Sequence, residues 1–280
     1  MRTLVFGGTG MLGKSVVAEG RRRGQGVLGL SHAQGDITDR DRVLYWAESF
    51  EPQVIVNCAA FTQVDACEEK REHALEANGH ALAHVAAAAD RCHARLIHIS
   101  SDYVFDGTAT EPIPEDAPTG PVSVYGESKL LGETEALKHP NTLVLRASWL
   151  FGPGGHNFVA TIRRLLEAGK PLKVVDDQVG APTYTPFLAR AIWDLAPLEV
   201  CGILNYQNRD AVSWHGFACE IARTLNIAAE VEPVPTSEFP RPAQRPAYSV
   251  LDVTRFEAAV GRSVEPWIAG LAAYLSGDHP

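Results

Sequence analysis

The chain has 280 residues, 45% of them hydrophobic, and a formal net charge of −9, enough apolar material for a sizeable core. The acidic balance argues against a general binder of nucleic acid or of anionic membranes, and the longest apolar-rich stretch, near Ala81–Ala89, is broken by His84 and too short to span a bilayer. The five cysteines, Cys58, Cys67, Cys92, Cys201 and Cys219, are scattered without a C-x-x-C pair. That pattern points to a reduced, cytoplasmic compartment, and no targeting segment is expected ahead of "MRTLVFGG".

Taken in order, "RTLVF" (2–6) reads as a strand, followed by a glycine-rich turn and a helix to about Arg23. "GVLGL" (26–30) is a second strand, and Asp39 is a good cap for the helix after it. "QVIVNCA" (53–59) is a continuous apolar run suited to a strand buried on both faces. A long helix is expected from about Ala66 to Asp90, then a strand at "RLIHIS" (95–100) and a loop to Pro121. A helix beginning near "SVYGESK" leads into the strand "TLVLRAS" (142–148). Strands alternating with helices imply an α/β fold, a Rossmann-type doubly wound parallel sheet with helices on both faces.

The character changes after Trp149. "FGPGGHN" and "DDQVGAPTYTP" are rich in glycine and proline, and "PVPTSEFPRPAQRPAYSV" (233–250) carries five prolines. Short strands at "LKVV" and "GILNY" and helices near Thr185 and Ser213 lie between, with Thr185-Pro186 read as cap and first turn. Long loops in a compact protein are usually binding loops. Residues 1–149 are therefore expected to form a dinucleotide-binding domain. Residues 150–280 are expected to form, in the main, a smaller, interleaved C-terminal substrate-binding lobe.

The first strand ends in "GGTGMLG", which sets Gly7, Gly10 and Gly13 in a G-x-x-G-x-x-G spacing around Met11 and Leu12. Such glycines permit a tight turn, close approach of backbone to a pyrophosphate and close packing of helix on strand. The helix N-terminus then offers N–H groups to the phosphates. At the end of the second strand a carboxylate would select NADH. Ser31 and His32 stand there instead, which favours NADPH and leaves NADH a tolerated second choice. Asp36, beside Ile37, either touches adenine or caps a turn. After the third strand, Ala59, Ala60 and Thr62 in "NCAAFT" fit either a backbone laid against ribose or nicotinamide, or ordinary small-residue packing.

"SSDYVFDG" puts Ser100 and Ser101 at the carboxyl end of the fourth strand, where open parallel sheets bind ligands. Tyr125 and Lys129, four residues apart, share one face of the following helix. A hydride arriving at a carbonyl carbon leaves an alkoxide that needs a proton. A tyrosine, with a pKa of ~10 when unperturbed, supplies it more readily if a nearby ammonium lowers that pKa. Ser101 would hydrogen-bond the carbonyl oxygen. Ser101, Tyr125 and Lys129 are the expected catalytic residues.

These motifs resemble the extended short-chain dehydrogenase/reductases. Further along, "NCAAFTQVDACEE", "YGESKLLGE", "LRASWLFGPGGHNF", "DDQVGAPTYTPFLA", "VSWHGFACEIA" and "RPAYSVLD" together resemble the dTDP-4-dehydrorhamnose reductase family over nearly the whole chain. The resemblance implies NADPH-dependent reduction of a 4-keto group on a nucleotide-diphosphate sugar, dTDP-4-dehydro-L-rhamnose. It also implies that Val64, Asp65, Ser101, Asp102, Tyr103, Trp149, Asn157, the segment Gln178–Thr183 and Arg245 line the substrate, with Arg245 near the diphosphate. Some members hold Mg²⁺ through glutamates at a dimer interface. Here "MLGKSVVAEG" has Ser15 about where such an acid would fall, so no metal site is carried over, and monomer and homodimer both stay open.

Reductases of other dTDP- or UDP-4-keto-6-deoxysugars would use the same constellation. A non-catalytic, NADP-binding regulatory subunit on this fold is the alternative from another class. A dehydratase fits less well, because Tyr103 follows Ser101-Asp102 where such enzymes resemble Asp-Glu. Asp102 itself is expected to orient its loop. His80 and His84, one turn apart, lack a third ligand for zinc. Trp193, Trp214 and Trp267 are expected as packing residues, and "EEKRE" (68–72) as a solvated helix face.

Overall fold

The computed structural model describes residues 1–277; the last three residues of the expected lobe lie outside the described residues. The first half runs β1 (Arg2–Phe6), α1 (Met11–Arg22), β2 (Gly26–Leu30), α2 (Arg40–Phe50), β3 (Val54–Asn57), α3 (Val64–Glu69), α4 (Arg71–Leu75), a π-helical turn (Glu76–His80), α5 (Leu82–Arg91), β4 (Arg95–Ser101), a 3₁₀ turn (Asp102–Val104), α6 (Val124–Ala136) and β5 (Thr142–Ala147). The second half adds β6 (Leu150–Phe151), α7 (Phe158–Glu167), β7 (Leu172–Val175), β8 (Val179–Gly180), β9 (Thr183–Tyr184), α8 (Thr185–Leu195), β10 (Gly202–Tyr206), β11 (Val212–Ser213), α9 (Trp214–Thr224), β12 (Val231–Val234), α10 (Thr254–Val260) and α11 (Trp267–Ser276).

Six strands form one sheet in the order β10-β5-β4-β3-β1-β2, and every pairing in it is parallel. β3 to β5 are buried along their whole length, as expected of strands covered on both faces. One apolar layer packs α1 and α8 on the sheet through Val16, Leu188, Ile192 and Trp193. The other packs α2 and α5 through Val43, Leu82 and Val85. The chain leaves β1 to one side for β2 and to the other for β3, and that reversal opens a crevice at the strands' carboxyl ends.

Residues 185–206 return to the first half: β10 pairs with β5, and the Trp193 indole donates to Val16 O. What remains of the second half builds a lobe around Phe151, Tyr184, Phe217 and Trp267, edged by the two-stranded pairs β12/β7, β11/β8 and β6/β9. The cap of α8 falls on Tyr184 rather than Thr185, because the Thr185 hydroxyl is engaged elsewhere, accepting from Ser15 at 3.1 Å.

The long helix expected over 66–90 is broken. Lys70, at φ −123° and ψ 52°, separates α3 from α4. The π turn then lets Asn78 face inward, where its amide donates to Phe61 O and Ser128 Oγ and its carbonyl accepts from Phe61 N–H. Nor is "EEKRE" a purely solvated face. Glu68 accepts from the Val124 N–H at the start of α6, where the first N–H groups of a helix need partners, and Arg71 pairs with Glu127 at 2.6 Å.

Under α6 lies a buried ion pair. Arg146, inside β5, donates from Nε to Glu133 Oε1 at 2.9 Å and from Nη2 to Oε2 at 2.7 Å, and both side chains are 2% exposed. Ser100 Oγ donates to the same carboxylate at 2.6 Å. Removing one partner would strand a buried charge, so Glu133→Ala is expected to cost roughly 3–5 kcal/mol. Urea unfolding checks this, and replacing both partners with apolar residues should recover most of the loss.

Candidate active site

The glycine loop joins β1 to α1. Gly7 has φ +70°, and a Cβ there would sit 2.6 Å from Ala59 N. A Cβ on Gly13 would sit 2.1 Å from Gly7 O, so the helix is packed directly onto the turn. Gly10 caps α1 without a side chain and the first turn holds no acidic residue. The N–H groups of Met11 and Leu12 thus open a helix end that suits an anion. A dinucleotide's pyrophosphate fits this cradle.

At the end of β2, Ser31 donates to Gln34 Oε1 at 2.9 Å and His32 is exposed, so neither of the two residues that follow the strand is a carboxylate; Asp36 lies 3.7 Å from His32. Asp36 caps a turn, accepting from the N–H and hydroxyl of Thr38, and Ile37 is buried. Across the crevice Ala59 donates its N–H to Asn57 Oδ1, while Ala60 and Thr62 are exposed.

β4 ends in Ser101, and α6 brings Tyr125 and Lys129 to it. The helix starts where Ser123 accepts from Gly126 N–H at 3.2 Å, and a Cβ on Gly126 would lie 2.1 Å from Tyr103 O, so helix and loop are in direct contact. Ser101 Oγ donates to Asp102 Oδ1 at 3.0 Å and accepts from Tyr103 N–H at 3.2 Å. The Tyr125 phenol feels the same hydroxyl, which favours its ionised form. Lys129 is 2% exposed and donates from Nζ to Ile99 O at 2.7 Å.

Burial sets the electrostatics. It pulls the Lys129 ammonium down to about 8, against the opposing pull of Glu133 and Cys58. It pushes the Asp102 carboxyl up to about 6 and holds buried His98 well below its ordinary value, with Lys129 adding to the effect. The Tyr125 phenol is raised by burial, with the Ser101 hydroxyl opposing. The lowering expected from Lys129 does not govern it, because loss of water around the phenol is the largest influence.

Beside this cluster lies a cavity of about 770 Å³ between the two halves, lined by Asp65, Tyr103, Gln178, Trp214 and Arg245 among others. Tyr103 connects the two regions, its ring edge-on to Tyr125 at 5.4 Å. Arg245 makes a two-pronged pair with Asp65 at 2.9 and 3.0 Å, and Gln178 donates to Thr236 Oγ1.

Of the other residues expected around a substrate, Val64 begins α3 beside Asp65. Trp149 stacks on Trp214 with centroids 3.5 Å apart and reaches the cavity only through it. Asn157 and Thr183 do not line the cavity. Asn157 caps α7 and ties down Gly152 O and the Tyr274 hydroxyl, and Thr183 is fully buried in β9. Lys173, Phe239 and Arg241 do line it and were not singled out by residue, although the last two fall in the proline-rich run. Trp214, expected as packing, also faces the cavity. His80 is exposed and His84 Nδ1 meets Ile37 O. Among the described residues no three metal-ligating side chains cluster, and no helix is long and apolar enough to cross a membrane.

Residues 1–278 match the family model described as the RmlD substrate binding domain. The chain is 40% identical over 278 residues to dTDP-4-dehydrorhamnose reductase of Streptomyces griseus, covering 96% of this chain and 91% of that one. The crystal structure of a dTDP-4-dehydrorhamnose reductase from Clostridium acetobutylicum matches with a TM-score of 0.96 at 37% identity, over 100% of both chains. That of the Bacillus anthracis dTDP-4-dehydrorhamnose reductase in complex with NADP matches with a TM-score of 0.96 at 32% identity, over 99% of each. The chain belongs to this family.

The Asp65–Arg245 pair straps the proline-rich segment 239–247 to α3. It is partly exposed, with side chains 32% and 20% accessible, so Asp65→Ala is expected to change global stability by no more than about 1 kcal/mol. It should nevertheless speed amide exchange across 239–247, as hydrogen-exchange mass spectrometry would report.

Proposed function

We propose that this family member reduces the 4-keto group of dTDP-4-dehydro-L-rhamnose to give dTDP-L-rhamnose, with NADPH as reductant. The observation that carries the reading is that α6 places Tyr125 within reach of the Ser101 hydroxyl and Lys129 on Ile99 O, both at the carboxyl end of β4. They lie between the glycine-loop crevice and a cavity that Tyr103 links to Tyr125. NADPH is favoured by the lack of a carboxylate at the two positions after β2 and by the NADP in the Bacillus anthracis relative.

In this reading Gly7, Gly10, Met11, Leu12 and Gly13 hold the pyrophosphate. Ser31, Asp36 and Ile37 flank the adenosine, and Ala59, Ala60 and Thr62 back the nicotinamide ribose. The sugar nucleotide takes the cavity, its diphosphate opposite Lys173, Arg241 and Arg245 and its apolar faces against Tyr103 and Trp214. NADPH, when bound, supplies the hydride that reaches C4. Tyr125 passes its phenolic proton to the oxygen left behind, and its raised pKa keeps that proton in place at neutral pH until an alkoxide, a stronger base, demands it. Lys129 then faces the phenolate as an ammonium and steadies it until solvent restores the proton. A cytoplasmic enzyme, monomer or homodimer, with its cysteines reduced, completes the proposal.

NADPH absorbance, followed on adding enzymatically prepared dTDP-4-dehydro-L-rhamnose, tests it. Turnover is expected in wild type, with a loss of about 10²–10⁴-fold in Tyr125→Phe while NADPH binding persists. Binding without oxidation in wild type would overturn the reading and favour a partner-binding role. The Lys129 charge gives a separate signature: the ammonium is present below about 8 and lost above it. kcat/KM, which reports the free enzyme's pKa values, should therefore fall as pH rises through that value, and this limb should vanish in Lys129→Met.

A further inference from the structure

We propose that Asp102 is a positioning residue that decides where the Ser101 hydroxyl sends its single proton, and so whether the reacting carbonyl receives one hydrogen bond or two. This inference rests on the ketoreductase reading above. A serine hydroxyl has one proton to give and two lone pairs that accept. Here the Tyr103 N–H takes one of those lone pairs. The proton itself lies 3.0 Å heavy-atom distance from Asp102 Oδ1, and an ionised carboxylate can only accept. With Asp102 ionised, Ser101 therefore has nothing to offer a ketone, and Tyr125 is the sole donor to it. With Asp102 protonated, the acid itself donates to Ser101 Oγ. The serine proton then turns to the carbonyl oxygen and adds a second donor where negative charge develops.

The surroundings make Asp102 easy to protonate. It is 1% exposed, and among the described residues its Oδ2 has no hydrogen-bond partner and no cation pairs with it. The groups that face it are Ser101 on β4, Tyr103 in its own turn, Tyr125 on α6 and Ser249 from the C-terminal segment. The nearest charges, Asp65 and Arg245, bear on Tyr103 and pair with each other. Burial lifts the carboxyl to about 6, with the neighbouring Ser249 and Ser101 hydroxyls pulling the other way. The carboxyl is thus protonated below that pH and ionised above it, well separated from the titration of Lys129.

Single-turnover oxidation of enzyme-bound NADPH by saturating dTDP-4-dehydro-L-rhamnose reads the switch. The rate in wild type is expected to rise about tenfold as pH falls through 6, less than the full effect of an oxyanion donor. Asp102→Asn should make the rate independent of pH over the same range. Ser249→Ala removes a nearby hydroxyl that favours the ionised form, so its midpoint should move to higher pH; this variant carries the test if Asp102→Asn does not fold. A wild-type rate that is flat or falls on acidification, an unmoved midpoint in Ser249→Ala, or an acid titration that survives in Asp102→Asn would overturn the proposal. Absence of oxidation at every pH would instead defeat the ketoreductase reading on which it rests.

Discussion

The site depends on the fork that Arg146 makes with Glu133. An arginine inside an all-buried strand is costly to desolvate, and here it is matched by the Glu133 carboxylate, which also accepts from Ser100, and by the Glu115 carbonyl. Glu133 lies one helical turn beyond Lys129 and two beyond Tyr125, so the three side chains share a face of α6. Fixing Glu133 against β4 and β5 therefore fixes the rotation of the helix. The Lys129 amine is brought to Ile99 O and the Tyr125 phenol to Ser101. The pair also supplies a negative group that opposes the loss of charge on Lys129 when it is buried.

On that rigid base the second half works as a cover. Its own core, around Phe151, Tyr184 and Phe217, is separate from the two layers on the sheet. It meets the first half through α8 and β10 and through polar straps such as Asp65–Arg245. The cavity left between them carries aromatic walls and three cations, Lys173, Arg241 and Arg245, against two carboxylates, Asp65 and Asp177, although the whole chain is acidic. Local fields, rather than net charge, decide what such a cleft accepts.

Much of this was legible in the sequence because it is local. The glycine spacing, the Asp39 cap and the Tyr125–Lys129 turn are all set by residues a few positions apart. What escaped depends on partners far along the chain. The 66–90 helix breaks at Lys70 and then opens into a π turn in which Asn78 binds Phe61 and Ser128, contacts that no periodicity signals. "GILNY" reads as a lobe strand until β5 is seen beside it. Asn157 and Thr183 sit in binding-loop sequence yet spend their side chains on a helix cap and a buried strand. The Arg146–Glu133 pair did leave a trace: a charge inside "TLVLRAS" calls for a buried partner.

The account stands on the claim that hydride is delivered to the sugar's C4 carbon. NADPH deuterated at the nicotinamide C4 position, incubated with the protein and dTDP-4-dehydro-L-rhamnose, and proton NMR of the product test this most directly. The account predicts deuterium at C4 of the sugar ring and nowhere else. Deuterium at another carbon, or consumption of the sugar with none incorporated, would contradict it.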